Sequence, residues 1–189
     1  MDEYIDQYLR ETVEIADTVD KAQIARSIEI ISELKRGGGR LFILGVGGSA
    51  ANASHAVNDF RKIAGIEAYA PTDNVSELTA RTNDEGWDTV FYKWLETSRF
   101  GKDDALLILS VGGGSDTTSL NLVKAIEMAA NIGAKIIAIA SRDGGCAKEY
   151  ADACVLIPVT DPMRITPHAE GWQGIIWHLM VNAVMEMLK

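Results

Sequence analysis

Four short, almost purely apolar runs recur along the chain: LFILGVGG (41–48), ALLILSVGG (105–113), AKIIAIASRDGG (134–145) and ACVLIPV (153–159). Runs of this length without polar alternation are the signature of strands buried on both faces. EAYAP (67–71) is a shorter fifth candidate. Between the runs lie stretches of helical spacing at 49–64, 75–81 with 84–98, 117–132, 144–151 and 170–188. Strand, glycine turn and helix in alternation predict an α/β fold, a three-layer sandwich. Its centre is a parallel five-stranded sheet of the flavodoxin or Rossmann-like kind, preceded by N-terminal helices. Over residues 3–36 apolar side chains recur at helical spacing (Ile5, Leu9, Val13, Ile15, then Ile24, Ile28, Ile31, Leu34), with a break near Asp17–Asp20. No linker or low-complexity segment interrupts the pattern. One domain is expected over 1–189, with oligomerisation helices over 1–36 and the α/β core over 37–189. That surplus of apolar helix surface predicts self-association.

Charge and composition remove several function classes. The formal net charge is −9, with no basic cluster longer than a pair, which argues against nucleic acid as a partner. No apolar run reaches the roughly 20 residues of a membrane span, so no membrane partner is expected. The start, MDEYIDQYLRETVE, is acidic and polar and unlike a signal peptide. Together with two cysteines, Cys146 and Cys154, that lack metal-ligand spacing, this predicts a cytoplasmic location. A small anion remains compatible with the acidic chain, because a donor-rich loop binds it locally.

In parallel α/β folds ligands bind beyond the carboxyl ends of the strands. Three glycine-rich loops fall there: GVGGS (45–49), SVGGGSDTTS (110–119) and SRDGG (141–145). The first departs from the dinucleotide fingerprint. The acidic residue expected about 20 positions on should follow a second strand, and that region still reads as helix. No Gly-Lys-Ser/Thr occurs either. The second loop offers free amides, two serines and two threonines at the start of the helix near 117, which suits a phosphate dianion. The alternative is that Ser115 or Asp116 merely caps that helix.

Gly-Gly-Ser after the first strand, Ser-x-Gly-Gly-x-Ser after a middle strand and Asn83-Asp84 before a helix resemble the sugar isomerase (SIS) domain family. More narrowly, the chain resembles the bacterial phosphoheptose isomerases, nearly end to end. The resemblance implies a homotetramer built on the N-terminal helices. It also implies an aldose–ketose isomerase that converts sedoheptulose 7-phosphate to D-glycero-D-manno-heptose 7-phosphate through an enediol, for heptose and surface-polysaccharide synthesis. By the same resemblance Ser110 and Ser115 hold the phosphate, with Ser49 and Gly112 beside them, and Gly47, Gly48, Asn83 and Asp84 line the sugar. His55, Asp59, Glu170 and His178 become the set grouped around zinc, with Asp59 as base and His178 as its proton-shuttling partner, or Glu170 as base and Asp59 as ligand. Four departures stand out: Asp59 where the family has glutamate, Glu170 for glutamine, Val46 for asparagine and Gly112 for a serine.

Enolisation beside a carbonyl needs a base, a proton shuttle and stabilisation of the developing oxyanion, which a divalent metal can supply. His55 and Asp59, four apart, share a helix face. Two histidines and two carboxylates suit zinc and also harder divalent ions, or no metal at all. Eight helical residues span about 12 Å, so Glu170 and His178 cannot share a metal from mid-helix. Either the regular helix begins after Glu170, as Pro167 and Gly171 suggest, or the site forms between subunits. Each residue also has a structural reading: His55–Asp59 as a surface pair, His178 as a core histidine, Trp172 and Trp177 as packing, His168 in a loop facing substrate or solvent, Arg61 and Lys62 solvated at a helix end, and Cys146 as structural. The rival function is a non-catalytic SIS-domain phosphosugar sensor or protein-binding scaffold.

Overall fold

A computed structural model describes residues 1–187. Five parallel strands, β1 (Leu41–Gly45), β2 (Ala68–Tyr69), β3 (Ala105–Leu109), β4 (Lys135–Ser141) and β5 (Ala153–Ile157), form one sheet in the order β2-β1-β3-β4-β5. Leu41 is in register with both Ala68 and Ala105, Ala105 with Lys135, and Ile137 with Ala153. The chain leaves β1 toward one edge and returns beside it at β3, so the topological switch lies between these two strands. That is where an open α/β sheet leaves a crevice for a ligand.

The apolar runs divide their side chains between two cores with the period of two that a strand imposes. Leu41, Ile43, Leu107, Leu109, Ile137 and Ile139 face one layer. Phe42, Leu44, Leu106, Ile108, Ile136 and Ala138 face the other. The first layer is built from α2 (Lys21–Gly37), α3 (Gly48–Lys62) and α8 (Ile165–Met187), the second from α5 (Val90–Thr97), α6 (Leu120–Ile132) and α7 (Gly145–Tyr150). A further helix, α4 (Val75–Glu85), buries no residue, and a 3-10 turn (Pro71–Asp73) precedes it.

The N-terminal helices differ in role. α1 (Asp2–Thr18) ends at Val19, whose backbone is extended, and Asp20 caps α2, accepting hydrogen bonds from the amides of Ala22 (2.9 Å) and Gln23 (3.3 Å). α2 packs Ile24, Ile28 and Ile31 into the sheet layer, so it belongs to the core. α1 leaves Tyr4, Ile5, Leu9 and Val13 exposed and is tied down mainly through Glu11. This carboxylate, 2% exposed, accepts from Arg164 through Nε (2.8 Å) and NH2 (2.6 Å), and pairs with His168 Nε2 at 2.8 Å. Arg164 also pairs with Asp161. Hydrogen bonds from Arg164, then from His168, hold the Glu11 carboxyl well below the usual carboxylate range.

Three helix starts differ from the sequence reading. α5 begins at Val90 rather than 84, because α4 runs on to Glu85 and carries Asn83 and Asp84 in its last turn. α6 begins at Leu120 rather than near 117, because Ser115 and Thr118 exchange main-chain hydrogen bonds (2.9 and 3.3 Å) in a tight bridge first. α8 begins at Ile165, not 170, and places Pro167 in its first turn, where no intrahelical N–H is needed. His168 is therefore a buried helical residue and neither a loop residue nor a solvent-facing one. The expected end of that helix at 188 lies outside the described residues.

Candidate active site

A cleft of about 700 Å³ opens at the carboxyl end of β1 and β3, at the switch point. Its walls come from the turn after β1 (Val46), the first turn of α3 (Ser49), the serine loop after β3 (Ser110, Gly112, Ser115, Ser119), the loop after β4 (Arg142, Asp143) and Thr166 in the first turn of α8. Three helices, α3, α6 and α8, thus begin at the cleft, and their first amides have no partner within the helix. Partial positive charge at three N-termini makes the cleft a site for an anion in a chain that carries −9 overall.

The loops are shaped to expose those donors. Gly47 holds φ 65°, ψ −128°, a conformation that side chains disfavour, and turns the chain from β1 into α3. Ser110 Oγ accepts from the amide of Gly113 at 3.0 Å, folding the serine loop back on itself. The serine loop is also fastened to the loop after β4: the amides of Ser141, Cys146 and Ala147 donate to the carbonyls of Val111 (3.0 Å), Gly114 (3.0 Å) and Gly113 (2.9 Å). Burial, with the carboxylates of Glu127, Glu149 and Asp116 nearby, pushes the Cys146 thiol up to about 11. A helix start therefore does not make this cysteine a thiolate.

α3 and α8 run side by side in the same direction. Gly48 lies against Glu170, where a Cβ would sit 2.6 Å from the Glu170 carboxyl carbon. One turn on, Asn52 Nδ2 donates to the Glu170 carbonyl (2.9 Å) and to Gln173 Oε1 (3.2 Å). Further along, His55, Asp59 and His178 converge. Asp59 Oδ2 is 3.9 Å from His55 Nε2 and 3.7 Å from His178 Nε2, and one donor atom from each of the three lies within 4.8 Å of the others. Trp177, fully buried, backs both rings: it stacks on His178 at 3.5 Å and meets His55 edge-on at 4.7 Å. His178 Nδ1 is 2.6 Å from the Gly174 carbonyl. A carbonyl only accepts, so Nδ1 is the donor, and in the neutral ring Nε2 keeps its lone pair toward Asp59.

That donor set fits zinc. Tetrahedral ligands at zinc distances stand about 3.4 Å apart, so these side chains need to contract only slightly. Fixing one histidine through its other nitrogen is the usual outer-sphere device. Two imidazoles and one carboxylate also leave a coordination position open, as in catalytic rather than structural zinc sites.

Of the expected site residues, Ser49, Ser110, Gly112 and Ser115 line the cleft, and Gly47 and Gly48 form the turn beside it. The expected four-residue metal set divides. His55, Asp59 and His178 come together, while Glu170 stands two helical turns back, against Gly48. The expectation that the regular helix starts after Glu170 does not hold, because α8 already includes it. Asn83 and Asp84 hydrogen-bond each other (2.6 Å) on the exposed face of α4 and do not line the cleft of this chain. Thr118, Ser119, Arg142, Asp143 and Thr166 also line it. The SDTTS and SRDGG loops pointed to four of these, and Thr166 was hidden by the late helix start assumed from the sequence.

A family model described as the SIS domain matches residues 3–141. Phosphoheptose isomerases from Rhodospirillum rubrum and Chlorobaculum parvum are similar to the chain. The first is 32% identical, covering 87% of this chain and 86% of the relative, and the second 34% identical, covering 95% and 84%. The solved phosphoheptose isomerase of Neisseria gonorrhoeae superposes with a TM-score of 0.84 at 26% identity, over 98% of both chains.

Proposed function

The chain belongs to the sugar isomerase (SIS) domain family, and from that premise we propose that it is an aldose–ketose isomerase of seven-carbon sugar phosphates. It interconverts sedoheptulose 7-phosphate and D-glycero-D-manno-heptose 7-phosphate through an enediol, feeding heptose synthesis. The observation that carries this reading is the pairing of a donor-rich, anion-attracting cleft with an imidazole–carboxylate set farther along one helix. Ser49 and His55 are six residues apart on α3, about 9 Å of rise. An extended seven-carbon chain with its phosphate is about 10 Å long, comparable to that rise.

The phosphate sits among Ser49, Ser110 and Ser115, under the amides that open α3, α6 and α8. Glu170, pressed on Gly48 between the two regions and outside the His55–Asp59–His178 group, takes the proton from the carbon beside the carbonyl and returns it to the neighbouring carbon, while Asp59 serves as a ligand. Trp177 keeps both imidazoles in place and excludes water from their inner faces. His55, Asp59 and His178 would hold zinc, which when bound polarises the sugar carbonyl. Self-association through the exposed apolar side of α1, into a cytoplasmic homotetramer, completes the proposal. No helix among the described residues is long and apolar enough to cross a membrane.

The test is NMR of the purified protein with sedoheptulose 7-phosphate in deuterated water, before and after chelation. Aldose product carrying deuterium at C2 is expected, with turnover lost on chelation and restored by zinc. Substrate that binds without turnover in both conditions would replace the enzyme with a sensor or scaffold.

A further inference from the structure

The loop after β4 contributes a side chain that the proposed chemistry has not used. Arg142 lines the cleft beside the serine loop, and it is the one cation among the described lining residues. Its side chain makes no hydrogen bond or ion pair among the described residues. Other arginines are engaged: Arg40 with Asp104, Arg81 with Glu77 and Glu85, and Arg164 with Glu11. The backbone at Arg142 is in the left-handed region, φ 55°, which disfavours any residue with a side chain. That conformation is held from both sides. Ser141 donates its amide to Val111 O (3.0 Å) and its hydroxyl to Ile157 O (2.8 Å), and the Gly144 amide returns to Ser141 O (3.0 Å). Asp143, the acidic neighbour on the same wall, turns its carboxylate to the amide of Gly145 (3.2 Å).

We infer that Arg142 is a substrate-binding residue whose guanidinium engages the phosphate held by the serine loop. The inference rests on the sugar-phosphate reading of the cleft. Backbone amides and hydroxyls orient a phosphate, but they leave much of its dianionic charge unmatched, and the chain as a whole repels it. A planar cation with paired N–H donors fits phosphate oxygens two at a time. Because the Arg142 loop is fastened to the serine loop through main-chain hydrogen bonds, the cation and the cradle keep a constant separation. Arg142 therefore sets the preference for phosphorylated over neutral sugars and lies away from the reacting carbons.

The test uses full-length protein with Arg142→Ala and Arg142→Lys, and Arg142→Gly as the variant for which the left-handed backbone carries no strain. Two quantities are read: kcat and KM for sedoheptulose 7-phosphate, and the dissociation constant of inorganic phosphate by calorimetry. Loss of a charge-assisted contact predicts both KM and the phosphate constant rising about 10-fold to 100-fold in the Ala and Gly variants. The kcat stays within about threefold, and the Lys variant recovers part of the loss. Folded variants whose KM and phosphate constant stay within twofold of the parent would overturn the inference, as would a fall in kcat at constant KM. The phosphate titration needs no turnover. If the parent protein proves inactive, the isomerase reading fails while the role of Arg142 is still decided.

Discussion

Gly113 offers the sharpest check on how the cleft is built. Its φ is 75°, and an added Cβ would lie 1.8 Å from the carbonyl oxygen of Gly144. Ordinary carbon–oxygen contact is about 3.2 Å, so Gly113→Ala must push the two loops apart by about 1.4 Å. The hydrogen bonds from Ala147 to Gly113 O (2.9 Å) and from Cys146 to Gly114 O (3.0 Å) hold those loops together. Stretched by that amount, both pass out of hydrogen-bonding range. Two lost bonds at about 1 kcal/mol each, plus about 1 kcal/mol for alanine in the left-handed region, give about 3 kcal/mol. Gly112, one residue earlier, has nothing within 4 Å of its added Cβ and no positive φ. Alanine there is expected to be neutral or to stabilise by up to about 1 kcal/mol. Urea unfolding followed by circular dichroism measures the difference directly, and a displacement of about 1.4 Å in the cradle should also cost about 100-fold in kcat/KM. If the two variants agree within about 1 kcal/mol, the two loops are not clamped as described and the argument from Gly113 fails.

Two further expectations concern the ion network and the metal set. Because the Glu11 carboxyl titrates below its unfolded value, its contribution to stability is complete above the ordinary carboxylate range near pH 4.3 and is lost as pH falls through the lower folded value. The stability gap between wild type and Glu11→Gln, read from urea midpoints, should therefore be widest near neutrality and shrink below about pH 4; a gap that widens in acid would contradict the pairing. Calorimetric zinc titration should show His178→Ala binding at least about 100-fold more weakly, whereas Glu170→Gln stays within about threefold, since Glu170 lies outside the three-residue group. Equal losses in both variants would restore the four-residue set, with Glu170 supplied by another copy of the chain.

Much of the architecture could be read from the residues alone, for a specific reason. A parallel strand covered on both faces has no polar alternation, so LFILG, ALLIL and KIIAIAS announce their own limits. The strand order could not be read this way, because every strand–helix unit presents the same pattern whichever neighbour it joins. Local hydrogen bonding also escaped notice. Ser115 to Thr118 has the composition of a helix start and spends it on a bridge instead. The Glu11–His168 pair joins residues 157 apart, and nothing local to either reveals the partner.

The metal set shows where the sequence already held the decisive constraint. Eight residues of helix separate Glu170 from His178 by about 12 Å, too far for one ion. Two escapes existed, a late helix start or a site shared between subunits, and Pro167 made the first attractive. Proline ends a helix only where its missing N–H would have had a partner. In the first turn of α8 it has none to lose, so the helix runs through Glu170 and the distance stands. Parallel packing of α3 on α8 then assigns each carboxylate its neighbours. Glu170 falls beside Gly48 and the cleft, and Asp59 falls between the two imidazoles. The separate placement of the two carboxylates thus follows from helix length and direction, before any chemistry is invoked.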